Sequence, residues 1–293
     1  MPELPEVETI RSGLERELTG QLIASTEILF AKSMPALEQL IADRVVGAKV
    51  SALRRRGKVM IVDLDTHYSL MVHLKMTGQL ILQRADGVRR GGGHPTKSMV
   101  RELPDNSTRV VFNFRGGDRL FFNDQRKFGW IKLLPTAEVE QDSLLTRMGV
   151  EPLSTEFTFS NFTAKVARRK SPIKAVLLDQ STVAGLGNIY VDEALHLARI
   201  HPLTHGIDLS PTELRRLHQA IITIITRAIE LKGTTFRNFR NHKGESGGYF
   251  EMARVFGRTN QPCPECSTPI DKLRVAGRGT HICPQCQLLK TRT

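Results

Sequence analysis

The chain has 293 residues, of which 40% are hydrophobic, 25% charged and 6% aromatic, and this composition excludes whole-chain disorder and collagen-like repetition. The length exceeds that of a typical single core and predicts two domains with a small appended module. No apolar run approaches the roughly 18–20 residues that span a bilayer. The first residues include Glu3, Glu6 and Glu8, unlike the basic start of a signal peptide. We therefore expect a cytosolic protein without a membrane partner.

The charge balance is strongly basic. Forty-two Lys and Arg residues stand against thirty Asp and Glu residues, which gives a formal net charge of +12. Such an excess favours a polyanion as partner, because each neutralised phosphate releases condensed counterions. The alternative is an enzyme that is merely basic. The run Arg54–Arg56 fits either phosphate attraction or a solvated face.

The N-terminal half predicts one helix followed by a β domain, most simply a sandwich. Residues 5–18 form the helix, since Pro5 suits a first turn and apolar residues recur on one face at Val7, Ile10, Leu14 and Leu18. From about 22 to 134 the chain has short β-type runs, with a hairpin turn at 115–118. These runs include Val59–Leu64, Ser69–Leu74, Leu80–Leu82, Val110–Phe114, Leu120–Phe122 and Trp130–Leu134. Residues 84–107, rich in Gly, Arg, Pro and Ser, predict a mobile loop.

After Pro135 the pattern becomes helical. Ser210 and Glu213 form a capping box with proline at the first helical position, and apolar residues follow at helical spacing to Leu231. A shorter helix is expected over 172–180, and Asn188 is expected to cap another that runs to about 198. Residues 233–250, glycine-rich and polar, predict a flexible loop. The resulting domains are 1–135, 136–250 and 251–293.

Four cysteines near the C-terminus form the pattern C-x2-C-x16-C-x2-C. They are Cys263, Cys266, Cys283 and Cys286. This spacing allows two tight turns to present four thiolates to one tetrahedral Zn²⁺. The alternative is two disulfides, which a cytosolic compartment disfavours. We predict one structural zinc ion, because four protein thiolates leave no open coordination position.

Several motifs resemble those of the bacterial formamidopyrimidine-DNA glycosylases, in the family's order. They are the start Met1–Ile10, Arg56-Gly-Lys58, His73-Leu-Lys-Met76, Asn123-Asp-Gln-Arg-Lys-Phe-Gly129, Gly185-Leu-Gly-Asn-Ile-Tyr190 and the four-cysteine module. The resemblance implies an α+β multidomain fold. It would comprise an N-terminal β-sandwich with a leading helix, a helix–two-turns–helix domain and a C-terminal zinc-finger β-hairpin. It also implies a monomeric glycosylase and abasic-site lyase of the bacterial cytosol and nucleoid, which removes oxidised purines from damaged double-stranded DNA.

The first residues also have a chemical interpretation of their own. If Met1 is removed, the secondary amine of Pro2 can attack a sugar C1′ and form an iminium; the alternative is that Pro2 only shapes the terminus. The resemblance implies that Pro2 is the nucleophile and Glu3 the general acid/base. It further implies that Lys58 donates a proton near the lesion phosphate, and that Arg278 binds phosphate and donates in the second elimination.

The resemblance also implies residues that contact DNA. Met76, Arg126 and Phe128 would fill the void left by the extruded nucleotide, with arginine pairing with the orphaned cytosine. Phosphate contacts are implied or expected at His73, Arg169, Lys174 and Asn188. Where the family commonly has histidine, this chain has Ser107-Thr108-Arg109. Either one contact is lost or Arg109 supplies it.

Two other functions fit parts of the sequence. An endonuclease VIII-type enzyme would prefer oxidised pyrimidines, but the Pro-Glu-Leu-Pro-Glu start and the set of Met76, Arg126 and Phe128 argue against it. A non-catalytic zinc-ribbon DNA-binding protein would not need Pro2, Glu3 and Lys58. A strand-nicking assay separates the second alternative from an enzyme.

Overall fold

The computed structural model describes residues 1–94, 98, 101–233 and 248–290. The described residues form two compact units. The first comprises residues 1–146 with 231–233 and 248, and the second comprises residues 147–230 and 249–290. Within these ranges, no helix combines the length and the apolarity that crossing a membrane would require. Most of the loop predicted over 233–250 lies outside the described residues.

The first unit begins with helix α1 (Leu4–Leu18). Glu3 is its N-cap in an extended conformation, and a proline stands in the first turn. The apolar stripe is buried, with Val7, Ile10, Leu14 and Leu18 each no more than 1% exposed. The helix ends at Thr19, and Gly20 follows with φ of +85°. The predicted helix over 5–18 is therefore confirmed to within one residue.

Two antiparallel sheets pack around the apolar core of this unit. Its strands are β1 (Ile23–Ile28), β2 (Val50–Arg56), β3 (Val59–Leu64), β4 (Tyr68–His73), β5 (Gly78–Gln83), β6 (Arg89–Gly93), β7 (Thr108–Phe114), β8 (Arg119–Asp124) and β9 (Trp130–Pro135). One sheet has the order β1-β7-β8-β5-β6 and the other β2-β3-β4-β9. One buried cluster takes side chains from both sheets and from α1, including Leu14, Leu53, Val72, Leu80 and Phe112. The predicted β-sandwich with a leading helix is confirmed.

Parts of this unit differ from the sequence prediction. Helix α2 (Glu38–Arg44) lies in a region predicted to contain only β-type runs, and strand β6 lies inside the segment predicted as a mobile loop. Strand β6 pairs with β5 from Gln79–Gly93 to Gln83–Arg89. Its glycines allow close backbone packing: a Cβ on Gly91 would lie 2.5 Å from the Leu80 carbonyl oxygen, and one on Gly93 would lie 2.3 Å from that of Gly78. The glycine content therefore reflects a close approach of two strands.

The strand register brings three turns to one end of the sandwich. In one sheet, Val59 pairs with His73 and His73 with Trp130. In the other sheet, Gly78 pairs with Asp124. The β2–β3 turn, the chain between β4 and β5, and the chain between β8 and β9 therefore lie close together. These segments carry Lys58, Met76 and the Arg126–Phe128 run.

The second unit contains the remaining long helices. They are α4 (Phe159–Val166), α5 (Ile173–Leu178), α6 (Asn188–Leu197) and α7 (Pro211–Glu230), while the short α3 (Ser143–Thr146) ends the first unit. The capping box of α7 is confirmed, since Ser210 N–H donates to Glu213 Oε2 at 2.8 Å and Glu213 N–H to Ser210 Oγ at 3.3 Å. The N-cap of α6 is Gly187, so the predicted cap at Asn188 is wrong and Asn188 is the first helical residue.

The second unit ends in a two-stranded hairpin, β10 (Asp271–Val275) and β11 (Arg278–Ile282). Its turn residues Ala276 and Gly277 have φ of +50° and +71°, as a two-residue hairpin turn of the primed type requires. The module has only a small apolar cluster, in which Cys263 and Cys283 pack with Val255 and Ile270. A core of this size predicts dependence on a metal for folding.

Candidate active site, metal centre and nucleic-acid interface

The start of α1 holds two buried carboxylates next to Pro2. Glu3 is 4% exposed and Glu6 is 2% exposed. They form a reciprocal capping box in which Glu6 Oε2 accepts the N–H of Glu3 at 2.9 Å, while the Glu3 carboxylate faces the Glu6 N–H. A helix N-terminus favours a negative charge at this position. Pro2 is buried as well, so the residue whose nitrogen becomes an amine once Met1 is removed lies beside these carboxylates at a helix N-terminus.

Gly233 is packed against the same cluster. A Cβ on Gly233 would lie 2.8 Å from Glu6 Oε1, and the φ of Gly233 is +80°. The segment after α7 therefore meets α1 at the carboxylate that accepts the Glu3 N–H. Both features restrict this position to glycine.

Lys58, directly before β3, and His73, the last residue of β4, occupy neighbouring positions. Lys58 is 5% exposed and precedes Val59, the register partner of His73. Burial and, to a smaller extent, the positive charges of Lys75 and Lys58 together lower the pKa of His73 to about 3. His73 Nδ1 accepts the N–H of Lys75 at 3.0 Å, which leaves the proton on Nε2. His73 is therefore a neutral N–H donor beside a buried ammonium group.

The three residues expected to fill a void lie on adjacent turns. Phe128 is 55% exposed, and the Arg126 guanidinium lies 5.0 Å from the centre of its ring. The backbone N–H of Arg126 donates to Thr77 Oγ1 at 3.0 Å, which joins this turn to the residue after Met76. The structure thus brings Met76, Arg126 and Phe128 together from two segments 50 residues apart in the chain.

Arg109 faces inward, which favours the first of the two alternatives for this position, the loss of one phosphate contact. It is 8% exposed, and its guanidinium donates to the carbonyl oxygens of Asp124 at 2.9 Å and Asn106 at 3.0 Å. It also lies 5.7 Å from the ring of Phe30. Its donors hold loop carbonyls, so the side chain stabilises the β7–β8 region instead of presenting a charge to solvent.

The structure also departs from the expectation for Lys174. The side chain has no solvent exposure, and Nζ lies 2.6 Å from Asp192 Oδ1. It also donates to Thr280 Oγ1 at 2.8 Å and to the Gly279 carbonyl at 3.3 Å. A buried ammonium with these partners cannot reach a phosphate directly. Its contacts instead join α5, α6 and β11.

Asn188 and Arg278 meet at the same hairpin. Asn188 Nδ2 donates to the Gly279 carbonyl at 2.9 Å, next to Arg278 in the chain. Arg278 is exposed and opposes Val275 at the tip of the β10–β11 hairpin. Asn188 thus anchors the hairpin backbone, while the Arg278 side chain faces solvent.

Arg169 is also partly exposed at 44% and pairs with Asp179 at 3.0 Å.

Two consecutive acidic residues on α6 were missed by the sequence analysis. Besides its pair with Lys174, Asp192 accepts the N–H of His281 at 2.9 Å. Glu193 accepts the N–H groups of Arg254, Val255 and Phe256 at 2.8–2.9 Å. Helix α6 therefore anchors the cysteine module at both its entry and its hairpin.

Burial raises the pKa of Glu193, and the three N–H groups act in the opposite direction. The sequence signal for these anchors was weak. It consisted of two adjacent acids in a mostly apolar helix, and it did not show which side they face.

The four cysteine sulfurs converge on one point. All lie within 4.8 Å of one another, with Cys263 and Cys286 3.9 Å apart and Cys266 and Cys283 3.4 Å apart. A tetrahedral zinc site with Zn–S bonds of about 2.3 Å places sulfurs roughly 3.8 Å apart. All four cysteines are free, which argues against two disulfides. Four convergent thiols fit one structural Zn²⁺.

The chain matches three sequence families along its length. Residues 1–131 match the formamidopyrimidine-DNA glycosylase N-terminal domain, and residues 148–240 match the formamidopyrimidine-DNA glycosylase H2TH domain. Residues 260–288 match the zinc finger found in FPG and IleRS. The third match supports zinc as the metal at the four cysteines.

Relatives cover nearly the whole chain. The formamidopyrimidine-DNA glycosylase of Herpetosiphon aurantiacus is 41% identical over 275 residues, which are 93% of this chain and 94% of the relative. A crystal structure of a variant Lactococcus lactis FPG with Fapy-dG-containing DNA has a TM-score of 0.87 at 33% identity. It covers 98% of this chain and 100% of that one. A structure of MutM with DNA containing carbocyclic 8-oxo-G has a TM-score of 0.86 at 34% identity, with the same coverage.

Proposed function

The chain belongs to the formamidopyrimidine-DNA glycosylase family, and from this premise we propose that it excises oxidised purines from duplex DNA and then cleaves the strand. It is a DNA glycosylase that acts on damaged DNA and holds one structural zinc ion. The matched 131-residue N-terminal domain excludes a non-catalytic zinc-ribbon protein. We infer that it acts at the nucleoid in the bacterial cytosol.

The relatives' DNA ligands include purine lesions and so support such lesions as substrates. A Lactococcus lactis FPG variant is in complex with Fapy-dG-containing DNA, and MutM with DNA containing carbocyclic 8-oxo-G. Wild-type Lactococcus lactis FPG is also in complex with DNA that contains an oxidised pyrimidine, so the choice between the two lesion classes needs a direct measurement. This chain has the three exposed or half-buried side chains needed to replace a flipped nucleotide and its stacking. The endonuclease VIII-type alternative predicts faster excision of oxidised pyrimidines, so a direct rate comparison separates the two.

The proposed reaction starts at the secondary amine of Pro2 after removal of Met1. Its nitrogen lone pair attacks C1′ while the bond from C1′ to the base breaks, and the base leaves with that electron pair and takes up a proton. Opening of the sugar then gives an iminium between Pro2 and C1′. Glu3, held at the α1 N-terminus by the Glu6 hydrogen bond, exchanges protons with the sugar oxygen.

The iminium allows the strand to be cut. It acidifies the C2′ proton, whose removal breaks the C3′–O bond, and a second elimination breaks the C5′–O bond. Each departing phosphate carries away the electron pair of the broken bond. Lys58 supplies a cation and proton donor beside neutral His73, and Arg278 supplies a donor for the second elimination.

We assign phosphate binding to the side chains of His73, Asn188, Arg169 and Arg278. His73 offers its Nε2 proton, Asn188 offers the second hydrogen of its amide, and Arg169 and Arg278 are exposed. Lys174 and Arg109 contribute indirectly, through the α6–β11 contacts and the β7–β8 region respectively. When bound, zinc fixes the two cysteine turns and hence the hairpin that carries Arg278.

The single observation that carries the proposal is the buried cluster of Pro2, Glu3 and Glu6 at the start of α1. Borohydride reduction with a duplex containing 8-oxoguanine opposite cytosine should crosslink the enzyme to DNA through the N-terminal peptide. A preparation that retains Met1 is the matched control, because its Pro2 nitrogen is an amide and should not crosslink. An adduct mapped to a lysine would contradict the assignment of the nucleophile, and faster excision of an oxidised pyrimidine would contradict the substrate.

A further inference from the structure

Asp124, at the end of β8, is a buried carboxylate that organises the turn carrying Arg126 and Phe128. It is 1% exposed. Its Oδ1 accepts the N–H of Arg126 at 3.2 Å and its Oδ2 accepts the N–H of Gly129 at 2.6 Å. One carboxylate therefore holds both ends of the turn, and both of its oxygens are used.

Thr77 extends this arrangement to the segment that carries Met76. Its hydroxyl donates to Asp124 Oδ1 and accepts the N–H of Arg126 at 3.0 Å. A single hydroxyl thus bridges the carboxylate and the backbone of the second turn. Because Thr77 directly follows Met76, the two turns are tied together by one hydrogen-bonded group.

The close packing at Gly129 supports a rigid base for the turn. A Cβ at this position would lie 2.8 Å from Phe122 Cζ, 3.1 Å from Asp124 Oδ2 and 3.2 Å from the His73 carbonyl oxygen. The backbone therefore approaches the carboxylate as closely as glycine permits. Movement of the carboxylate would move the backbone N–H groups that it binds.

An ionised carboxylate suits this position better than the amide of asparagine. Both oxygens face N–H or O–H donors, and an amide would place its own NH₂ group against one of them. A buried carboxylate is costly unless its oxygens are satisfied, and here they are. The donors leave this group no contact with solvent, so its effect must pass through the turns it holds.

We propose that Asp124 and Thr77 are positioning residues that lock Met76, Arg126 and Phe128 into one unit and so set discrimination between bases opposite the lesion. The inference rests on the proposed function for the roles of those three side chains. Arg126 pairs with the orphaned base through planar donors, whose aim depends on its backbone position. Loosening the turn should therefore weaken the preference for cytosine over adenine.

The test measures binding to duplexes in which a stable tetrahydrofuran abasic analogue lies opposite cytosine or adenine. Asp124→Asn and Thr77→Val should reduce the cytosine-to-adenine affinity ratio, by up to about tenfold for the loss of a charge-assisted hydrogen bond. Thr77→Ser keeps the hydroxyl and should preserve the ratio. Combining Asp124→Asn with Arg126→Ala should lower the ratio no further than Arg126→Ala alone, since both act on the same contact.

Asp118→Asn is the matched control for a merely structural effect. Asp118 stands at the other end of β8, is 8% exposed and accepts the N–H of Ala85 at 2.9 Å, in a turn away from the three side chains. Its asparagine variant should lower thermal stability without changing the ratio. An Asp124→Asn enzyme that behaves like Asp118→Asn, less stable but with an unchanged ratio, would overturn the inference.

The binding readout separates this inference from the proposed function. It needs no excision, so a wild-type protein that discriminates bases opposite the analogue but fails to release 8-oxoguanine would refute the substrate, while a reduced ratio in Asp124→Asn would still support the positioning role. A wild-type protein that binds the analogue equally well opposite both bases would overturn the positioning role, whatever lesions it excises.

Discussion

The buried pair of Lys174 and Asp192 allows a sharp test of what a basic residue does in this protein. Neither side chain has any solvent exposure, and their charged groups are 2.6 Å apart. Asp192 also accepts the His281 N–H, and Lys174 donates to Thr280. If this pair joins α6 to the hairpin, removing the lysine should act on stability first and on DNA binding only as a consequence.

The expected magnitude follows from the burial. Lys174→Met keeps most of the apolar stem but leaves an uncompensated carboxylate in the interior, which costs about 3–5 kcal/mol. Natural domains have only about 5–15 kcal/mol of stability, so this is a large fraction. Adding Asp192→Leu removes the stranded charge and should recover most of the loss. The remaining deficit should be about 1–3 kcal/mol, because the His281 N–H loses its acceptor.

Hydrogen exchange is a suitable assay, because it reports on the hairpin amides themselves. Amides of 271–282 should exchange faster in Lys174→Met by the factor that its loss of stability implies, and should be largely protected again in the double variant. Zinc content is measured on the same samples, so that metal loss is recognised. The double-mutant cycle should give a coupling of at least about 2 kcal/mol.

A direct phosphate contact predicts a different result. Removing such a contact lowers the log–log dependence of DNA affinity on salt by about one unit and leaves stability nearly unchanged. A Lys174→Met protein with wild-type exchange rates and a salt slope reduced by one unit would refute the structural role. The double variant gives a second check, since it should retain the wild-type slope if Lys174 touches no phosphate.

Three further predictions concern other parts of the site. Gly233→Ala would place a Cβ 2.8 Å from Glu6 Oε1 at a φ of +80°. Single-turnover excision should therefore fall at least about tenfold, while binding to undamaged DNA is unchanged. Normal excision would contradict the contact. The pKa of His73 lies at about 3 in the folded protein, so its contribution to stability is complete above about pH 6.5 and is lost as pH falls toward 3. Between these pH values the free energy of unfolding, measured with urea, should therefore fall less steeply in His73→Gln than in the wild-type protein, by up to about 1.4 kcal/mol per pH unit. Parallel plots of unfolding free energy against pH for the two proteins would contradict the burial effect. Cys283→Ser should lose zinc and specific DNA binding while α7 stays folded, whereas Arg278→Ala should keep zinc and lower the salt slope by about one unit. Full binding by a zinc-free, folded Cys283→Ser protein would exclude a folding role for the metal.

Elements with a strong period could be predicted from the sequence. The stripe from Val7 to Leu18 and the Ser210–Glu213 box specify their helices locally, and both are as expected. The sequence prediction missed strand β6 because glycine is compatible with two opposite structures, a flexible loop and two closely packed strands. Only the neighbouring strand β5 decides between them, and periodicity does not show that neighbour.

The metal site was predictable for another reason, because cysteine spacing encodes zinc geometry directly. The catalytic roles of Pro2 and Glu3 were implied by the resemblance of the first ten residues to the family and stay a prediction. The role of Asp124 was not accessible in this way, since a carboxylate at a strand end is ordinary. Its importance arises from a register that places Gly78 opposite it and Thr77 beside it.

The basic residues show why charge predicts a partner better than it predicts contacts. Ion pairs remove one cation and one anion together, so the excess of 42 over 30 leaves at least twelve cationic side chains without a one-to-one acidic partner, whatever the fold. Folding decides which ones they are. Arg54 pairs with Asp63 and Arg55 with Glu8, while Arg278 remains exposed at a hairpin tip. A count of charges therefore favours a polyanion partner, whereas each phosphate contact depends on burial, and burial is a property of the folded chain.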